Sequence, residues 1–292
     1  MNSIYARDYF VDFTRKLLAV YDEDEARAIA GYVCAELLMI KWQQLNIIQK
    51  ELSGAEVEHF DKILNRLLNG EPIHYILGYT WFYGLKFDLN PSVLIPRPET
   101  EELVDLVMSY CRKNSVTTPT IIDLGTGSGC IPISLKKNLP QAQVYGVDLM
   151  PNAIATANHN ARLNKTDVTF IEADMLKTTA LVTALKIQQS PVILISNPPY
   201  IAQKEAEGIH NNVLKHEPHT ALFVPNDDVL LFYKAIAGYA QLVLKQGDTV
   251  WLEINPLFAQ ETLSLFQNLS TTNQSSIIND ISGKQRFVYV LI

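Results

Sequence analysis

Two short segments of this 292-residue chain hold residue types whose spacing could do chemistry. The first is Asp123-Leu124-Gly125-Thr126-Gly127-Ser128-Gly129, which follows an apolar run and precedes a helix-like stretch. Glycines in such a turn tolerate positive φ and let the backbone approach a ligand closely. The spacing is GxGxG, one residue short of the GxGxxG dinucleotide fingerprint, and the chain holds no GxxxxGK[ST] cradle for a triphosphate. Asp148 ends the next apolar run, where a carboxylate can accept hydrogen bonds from the hydroxyls of a ribose. Asp123 would welcome a cationic amino acid moiety and repel a pyrophosphate. The second segment is Ser196-Asn197-Pro198-Pro199-Tyr200. Consecutive prolines fix φ and restrict the residue before them, so Asn197 and the Pro198 carbonyl are held stiffly. A planar amide or amine nitrogen is a poor nucleophile because its lone pair is delocalised. Holding its two N–H groups on the Asn197 side-chain carbonyl and a backbone carbonyl would aim that lone pair, with catalysis from positioning and electrostatics. Each segment also has a plain alternative, since a glycine-rich turn can be only a tight turn and a Pro-Pro turn only a stiff corner.

The elements around these segments decide between the alternatives. Short apolar runs at Thr120 to Leu124, Gln143 to Val147, Val168 to Glu172, Val192 to Ile195 and Thr249 to Ile254 alternate with helix-length segments. That alternation predicts an α/β fold with parallel strands and crossover helices on both faces. Two last runs, Ser275 to Ile281 and Arg286 to Ile292, are separated only by Ser282-Gly283-Lys284-Gln285 and predict a hairpin at the sheet edge. In a doubly wound sheet, ligands bind at the carboxyl ends of the strands, so the glycine loop and the NPPY turn are expected to face one cleft. Upstream, Tyr5 to Leu18, Ala26 to Leu38 and Phe60 to Leu68 carry apolar residues at helical spacing. Asp22 with Glu25 suggests a helix start and Gly70 a helix stop. The aromatic stretch from Tyr79 to Leu89 suggests two strands around Gly84, and the run from Leu94 to Glu101 reads as a linker. The expected domains are a helical one at 1–75, a short hairpin and linker at 76–101, and an α/β domain at 102–292. The stretch from Ile201 to Asp228 is long for a connection, and long structureless loops in compact domains are usually functional or disordered.

Composition narrows the partners. With 48% apolar and 19% charged residues the chain is an ordinary globular protein, and its net charge of −7 disfavours broad contact with nucleic acid. Cys34, Cys111 and Cys130 lie far apart without CxxC or Cys/His metal spacing, so reduced thiols in the cytoplasm are expected and a structural metal is not. His216 and His219 stand three apart, but Glu217-Pro218 between them has another reading, given below. Charged residues Arg7, Asp8, Asp12, Arg15 and Lys16 interrupt the first segment, and no later stretch approaches the ~18 apolar residues of a membrane span.

The glycine loop together with Asp148 resembles the S-adenosylmethionine site of the class I methyltransferases, so the fold expected is a Rossmann-like, mostly parallel sheet with a C-terminal antiparallel hairpin. On that resemblance the lone pair held at NPPY would point at a sulfonium methyl for in-line displacement. NPPY occurs in methyltransferases acting on adenine, guanine and glutamine nitrogens, so the surrounding sequence chooses among them. Tyr75-Ile76-Leu77-Gly78, Phe82-Tyr83-Gly84, LIPRPETE from Leu94 to Glu101, DLGTGSG from Asp123 to Gly129 and SNPPYI from Ser196 to Ile201 resemble the PrmC/HemK family of protein-(glutamine-N5) methyltransferases. Glu217-Pro218, Ala221-Leu222, Leu252-Glu253-Ile254 and the run from Asp280 to Arg286 continue the likeness. The resemblance implies methyl transfer from S-adenosylmethionine to the glutamine of the GGQ motif in peptide chain release factors, with the N-terminal helices helping to bind the factor. Composition and spacing add the expectation of no direct nucleic-acid partner, no membrane and no metal, and a monomer acting in the cytoplasm is expected. Carried over, Gly125, Thr126, Gly127, Ser128, Gly129, Asp148, Met175 and Asn197 would contact the cofactor. Asn197, Pro198, Pro199 and Tyr200 would grip the glutamine amide, with Tyr200 against its plane. Arg97 and Thr100 would help close the cofactor cleft, although Arg97 could equally be a surface ion pair. Asp174 could hold an adenine amine or cap a helix, and Met175 could lie on the adenine or in the core. The chain departs from the family at Leu149-Met150, Asn255 and Lys284-Gln285, and none of these is expected to touch NPPY.

Overall fold

Side chains that accept otherwise unbonded amide hydrogens start two of the N-terminal helices. The computed structural model, which describes residues 3–45, 47–185, 191–208, 210–269 and 274–292, places helices α1 at Ala6–Leu17, α2 at Glu23–Leu38, α3 at Gly54–Leu68 and α4 at Ile73–Leu77. Asp22 caps α2 by accepting from the Glu25 amide at 2.8 Å. Ser53 and Glu56 form a reciprocal capping box that begins α3 at Gly54, well before the first periodic apolar residue at Phe60. Phe13, Leu17, Ala30, Val33, Phe60 and Leu67 pack the core of this bundle. A short helix from far along the chain, Asn211–His216, belongs to the same unit, and its Asn212 side chain lies 2.7 Å from where a Cβ on Gly70 would stand.

The second unit comprises Gly78–His210 and Glu217–Ile292. It opens with an antiparallel hairpin of β1 (Tyr79–Phe82) and β2 (Leu85–Asp88). Tyr83 and Gly84 between them both take positive φ, the geometry that matches strand twist in a two-residue turn. Helix α5 runs over Pro98–Lys113, so the last four residues of the expected linker are its first turn. The cause is legible in hindsight: Pro98 presets φ at the first helical position, and Glu99 and Glu101 complement the amide end of the helix dipole.

Strand and helix then alternate through β3 (Thr120–Leu124), α6 (Cys130–Asn138), β4 (Gln143–Asp148), α7 (Pro151–Leu163), β5 (Thr169–Glu172), α8 (Thr178–Leu185) and β6 (Val192–Ser196). The long connection after β6 holds β7 (Ile201–Ala202), α9 (Asn211–His216) and β8 (Phe223–Val224), β7 pairing with β8; Ile209 lies outside the described residues. The chain ends through α10 (Leu231–Val243), β9 (Thr249–Glu253), α11 (Ala259–Ser264), β10 (Ser275–Asn279) and β11 (Gln285–Leu291).

Seven strands form one sheet in the order β10-β11-β9-β6-β3-β4-β5, parallel from β9 to β5 and antiparallel through β11 and β10. Every expected strand is present within two or three residues of its expected ends. Two-residue alternation feeds both faces: Ile193, Ile195 and Trp251 enter one core, and Val192, Leu194, Val250 and Leu252 the other. The chain enters the sheet at β3, winds outward through β4 and β5, then returns to the other side at β6. The carboxyl ends of β3 and β6 therefore meet at a topological switch point, where such sheets bind ligands. Among the described residues no helix is long and apolar enough to cross a membrane.

Candidate active site

At the carboxyl end of β3 the backbone turns through Gly125, Gly127 and Gly129, with φ of 78°, 52° and 80°. A Cβ on Gly129 would stand 2.9 Å from Ile133 Cδ1 and 3.1 Å from Ala157, so this glycine lets α6 and α7 close together. A Cβ on Gly127 would meet nothing within 4 Å. That space is open for a ligand to approach. The loop is braced from below. The Gly125 and Thr126 amides donate to the Val147 carbonyl, both at 2.9 Å, and Asn160 on α7 donates to the Ser128 carbonyl at 2.9 Å.

Asp148, at the end of β4, accepts from the Gly127 amide on one oxygen at 2.8 Å and from the Met150 amide on the other at 2.9 Å. A carboxylate has lone pairs to spare beyond those two bonds. Burial raises its pKa, and the bonds from the backbone amides act against that rise. Asp123 is fully buried beneath the loop, and neither of its oxygens has a hydrogen-bond partner among the described residues. Burial pushes its pKa up to about 7; the Thr126 hydroxyl opposes the rise and the Asp148 charge adds to it. A buried, unpaired carboxylate is costly unless something cationic comes near.

Beside the loop lies a cavity of about 330 Å³. Asp148, Asp174 and Asn197 are among its polar lining residues, and Leu94, Met150, Met175 and Phe232 are among its apolar ones. The structure thus brings Gly125, Gly127, Asp148, Met175, Asn197 and Pro199 to one cavity. Thr126, Ser128, Gly129, Pro198 and Tyr200 do not line it; Thr126 and Ser128 are buried under the loop. Asp174 serves in two ways, capping the Leu176 amide at 2.9 Å and facing the cavity. Met175 also does both, lying beside Gly125 and packing on the core.

The NPPY turn is tied to the glycine loop at its base, because the buried Ser196 hydroxyl donates to the Leu124 carbonyl at 2.5 Å. The Asn197 amide nitrogen donates to Thr100 Oγ1 at 3.0 Å, and Thr100 donates to Glu253 at 2.8 Å. Asn197 Oδ1 has no partner among the described residues. Tyr200 turns its ring against the core and donates its hydroxyl to the other Glu253 oxygen at 3.2 Å, while its carbonyl accepts from Asn255 at 3.1 Å, so the departure at Asn255, expected to leave NPPY untouched, does contact the turn. These two bonds tie the turn to the end of β9. Arg97 pairs at 2.6 Å with Glu217, whose side chain is 1% exposed and whose second oxygen accepts from the Ile95 amide. Leu94 and Ala221, near the two partners in sequence, both line the cavity, so this pair ties two of its walls together.

Ser196, Asn160, Glu253 and Asn255 were missed as working residues in the sequence. Glu253 carries a usable signal, an acid closing the apolar strand TVWLE; Asn160 carries a weaker one, an amide on the buried face of α7. Among the described residues, no group of three or more His, Cys, Asp or Glu side chains is arranged to hold a metal ion.

The sheet order, the glycine loop at the switch point and the acid ending the next strand define a class I S-adenosylmethionine-dependent methyltransferase. Residues 104–246 match the family model described as the methyltransferase small domain. The catalytic domain of hMettl16, solved with an RNA hairpin, has the same fold at a TM-score of 0.52 and 14% identity, over 84% of this chain and 86% of that one. A T. thermophilus 16S rRNA N2 methyltransferase, solved with AdoMet and guanosine, matches at a TM-score of 0.50 and 16% identity over 73% of this chain and 49% of that one. Residues 11–78 match the model described as the PrmC N-terminal domain. A release factor glutamine methyltransferase of Flavobacterium psychrophilum is 39% identical over 97% of this chain and 98% of its own length. One from Bacteroides thetaiotaomicron is 36% identical over 94% and 95%. The chain belongs to the release factor glutamine methyltransferase family.

Proposed function

We propose that this protein methylates the side-chain amide nitrogen (N5) of the glutamine in the GGQ motif of peptide chain release factors, and thereby modulates translation termination. The observation that carries this reading is the Asn197 amide: its nitrogen is committed to Thr100, which leaves Oδ1 as a bare acceptor on the wall of a cavity floored by the glycine loop. An acceptor there suits a target that presents an N–H, as a carboxamide does. The residues present fit S-adenosylmethionine as donor. Asp148 has lone pairs left for ribose hydroxyls, and Gly125 and Gly127 leave room for the ligand. Met175 and the apolar wall suit an adenine, and buried, unpaired Asp123 suits a cation nearby. When bound, S-adenosylmethionine supplies an electrophilic sulfonium methyl that the amide nitrogen takes as the carbon–sulfur bond breaks.

The chain's own residues then have three tasks. Asn197 Oδ1 accepts one N–H of the target, with a backbone carbonyl of the turn for the other, which orients the planar group and favours the nitrogen as it gains positive charge. The acidified nitrogen can shed its proton to water, so no strong base is needed. Pro198 and Pro199 keep the turn from relaxing, and Tyr200 anchors it to Glu253. The N-terminal helices are assigned to holding the release factor. No direct nucleic-acid contact is invoked, in keeping with the net charge of −7. A monomer in a reducing cytoplasm is the setting proposed, and three buried free cysteines are consistent with it.

Calorimetric titration with S-adenosylmethionine, paired with methyl transfer to a release factor, tests the assignment. Asn197→Ala should bind the cofactor within about tenfold of wild type and lose turnover by about 10² to 10³. Wild-type turnover in Asn197→Ala, or absence of cofactor binding in the unaltered protein, would overturn it.

A further inference from the structure

Among the described residues, Glu253 is the carboxylate at which both ends of the NPPY turn converge. It is 1% exposed at the end of β9, accepts from Thr100 on Oε2 at 2.8 Å and from Tyr200 on Oε1 at 3.2 Å, and its carbonyl accepts from Tyr233 at 3.2 Å. Thr100, itself buried in the first turn of α5, has a single hydroxyl proton. With that proton given to Glu253, its oxygen can only accept, and the Asn197 amide nitrogen is the donor at 3.0 Å. Turning the Asn197 amide over would set its Oδ1 against the Thr100 oxygen, acceptor against acceptor. We infer that Thr100 and Glu253 are positioning residues for methyl transfer: an ionised Glu253, acting through Thr100, holds the Asn197 amide with its oxygen toward the target nitrogen. This inference rests on the function proposed above and adds to it what determines the polarity of the site.

The charge environment makes the arrangement conditional. Burial pushes the Glu253 pKa up to about 7; the bond from Thr100, the Arg286 charge and the bond from Tyr200 oppose the rise, and Glu99 adds to it. Those are the groups that act on Glu253 from α5, the NPPY turn and β11; Tyr233 of α10 bonds only its carbonyl, and Arg286 also bonds Asp280 at 3.2 Å. A protonated Glu253 can donate to Thr100, which frees the Thr100 proton for Asn197 Oδ1. The amide then turns over and presents N–H groups to an N–H target. Turnover at saturating cofactor should therefore fall as pH drops through the Glu253 pKa.

The test compares Thr100→Val, which keeps the shape and removes the hydroxyl, with Thr100→Ser, which restores it, and adds Glu253→Gln. Thr100→Val should lower kcat by about 10², with KM for the release factor and the Kd for S-adenosylmethionine within a few-fold of wild type. Thr100→Ser should recover most of that loss. The acid limb of the wild-type kcat profile, near pH 7, should be missing in Glu253→Gln. A second readout needs neither cofactor nor turnover: the Asn197 side-chain N–H signals, assigned by their loss in Asn197→Asp, should be protected from exchange in wild type and Thr100→Ser and unprotected in Thr100→Val. The inference is overturned by wild-type kcat in Thr100→Val, by equal impairment of Thr100→Ser, by an unchanged acid limb in Glu253→Gln, or by equal amide protection in wild type, Thr100→Ser and Thr100→Val. Failure of the unaltered enzyme to methylate a release factor would count against the proposed function, and the exchange measurement would still decide the relay.

Discussion

Replacing Asp123 by asparagine removes a charge that the fold buries without a partner, so the variant should be more stable than the natural protein at alkaline pH and worse at binding cofactor. Burial raises the Asp123 pKa from 3.8 to about 7. At about 1.4 kcal/mol for each tenfold change in proton affinity, ionising it inside the fold costs on the order of 4 kcal/mol. The sign follows from linkage. A carboxyl whose pKa is raised by folding contributes stability that is fully present below the unfolded pKa and is lost as pH rises through the folded one. Of that total, on the order of 2 to 3 kcal/mol should disappear between about pH 5 and about pH 8. The asparagine of the variant does not titrate, and Glu253, also raised to about 7 by burial, is common to both proteins and cancels in the comparison. Urea unfolding at the two pH values, followed by fluorescence of buried Trp251, should show the gap between variant and wild type widening by that amount toward pH 8. Titration with S-adenosylmethionine, a cation, should show wild-type affinity rising with pH through about 7 and a flat profile in Asp123→Asn. An equal stability gap at both pH values, together with equal pH dependence of binding, would refute the reasoning.

Two further predictions concern the loop. Asn160→Leu removes bonds at 2.8 Å from the Asp88 amide, 3.1 Å to the Asp88 carbonyl and 2.9 Å to the Ser128 carbonyl. It should cost about 2 to 4 kcal/mol in denaturant unfolding, because unpaired buried groups cost about 1 to 3 kcal/mol each and Asp88 is partly open to water. Gly127→Ala and Gly129→Ala share positive φ but differ in surroundings. The first should cost about 1 kcal/mol in stability and mainly weaken cofactor binding. The second, which meets Ile133 and Ala157, should cost more in melting temperature, and similar melting shifts for the two would count against the packing role given to Gly129.

Local chemistry was the part of the molecule that could be read from residues. Apolar runs of strand length, interrupted by glycine and separated by helix-length segments, were enough for the parallel sheet, the hairpin at Gly84 and the two loops at the strand ends. Local signals were weaker where two cues competed. Leu94 to Glu101 reads as a linker because prolines and charges crowd it, yet Pro98 followed by Glu99 and Glu101 is also how a helix starts. What could not be read is pairing across the chain. Thr100 and Glu253 are separated by 153 positions, Arg97 and Glu217 by 120, and no periodicity links such partners. The turning of Tyr200 toward Glu253 and the grouping of Asn211–His216 with the N-terminal helices are tertiary in the same sense. Asn197 itself was legible as a chemical residue, whereas the orientation of its amide depends on two side chains that only the fold brings to it.

The most direct test of the account is to incubate the purified protein with labelled S-adenosylmethionine and a release factor, beside the same factor with its GGQ glutamine replaced, and to locate the label by peptide mass spectrometry. One methyl group on the side-chain nitrogen of that glutamine, and none on the replaced factor, is the expected result. Label elsewhere on the factor, or none despite cofactor binding, would contradict it.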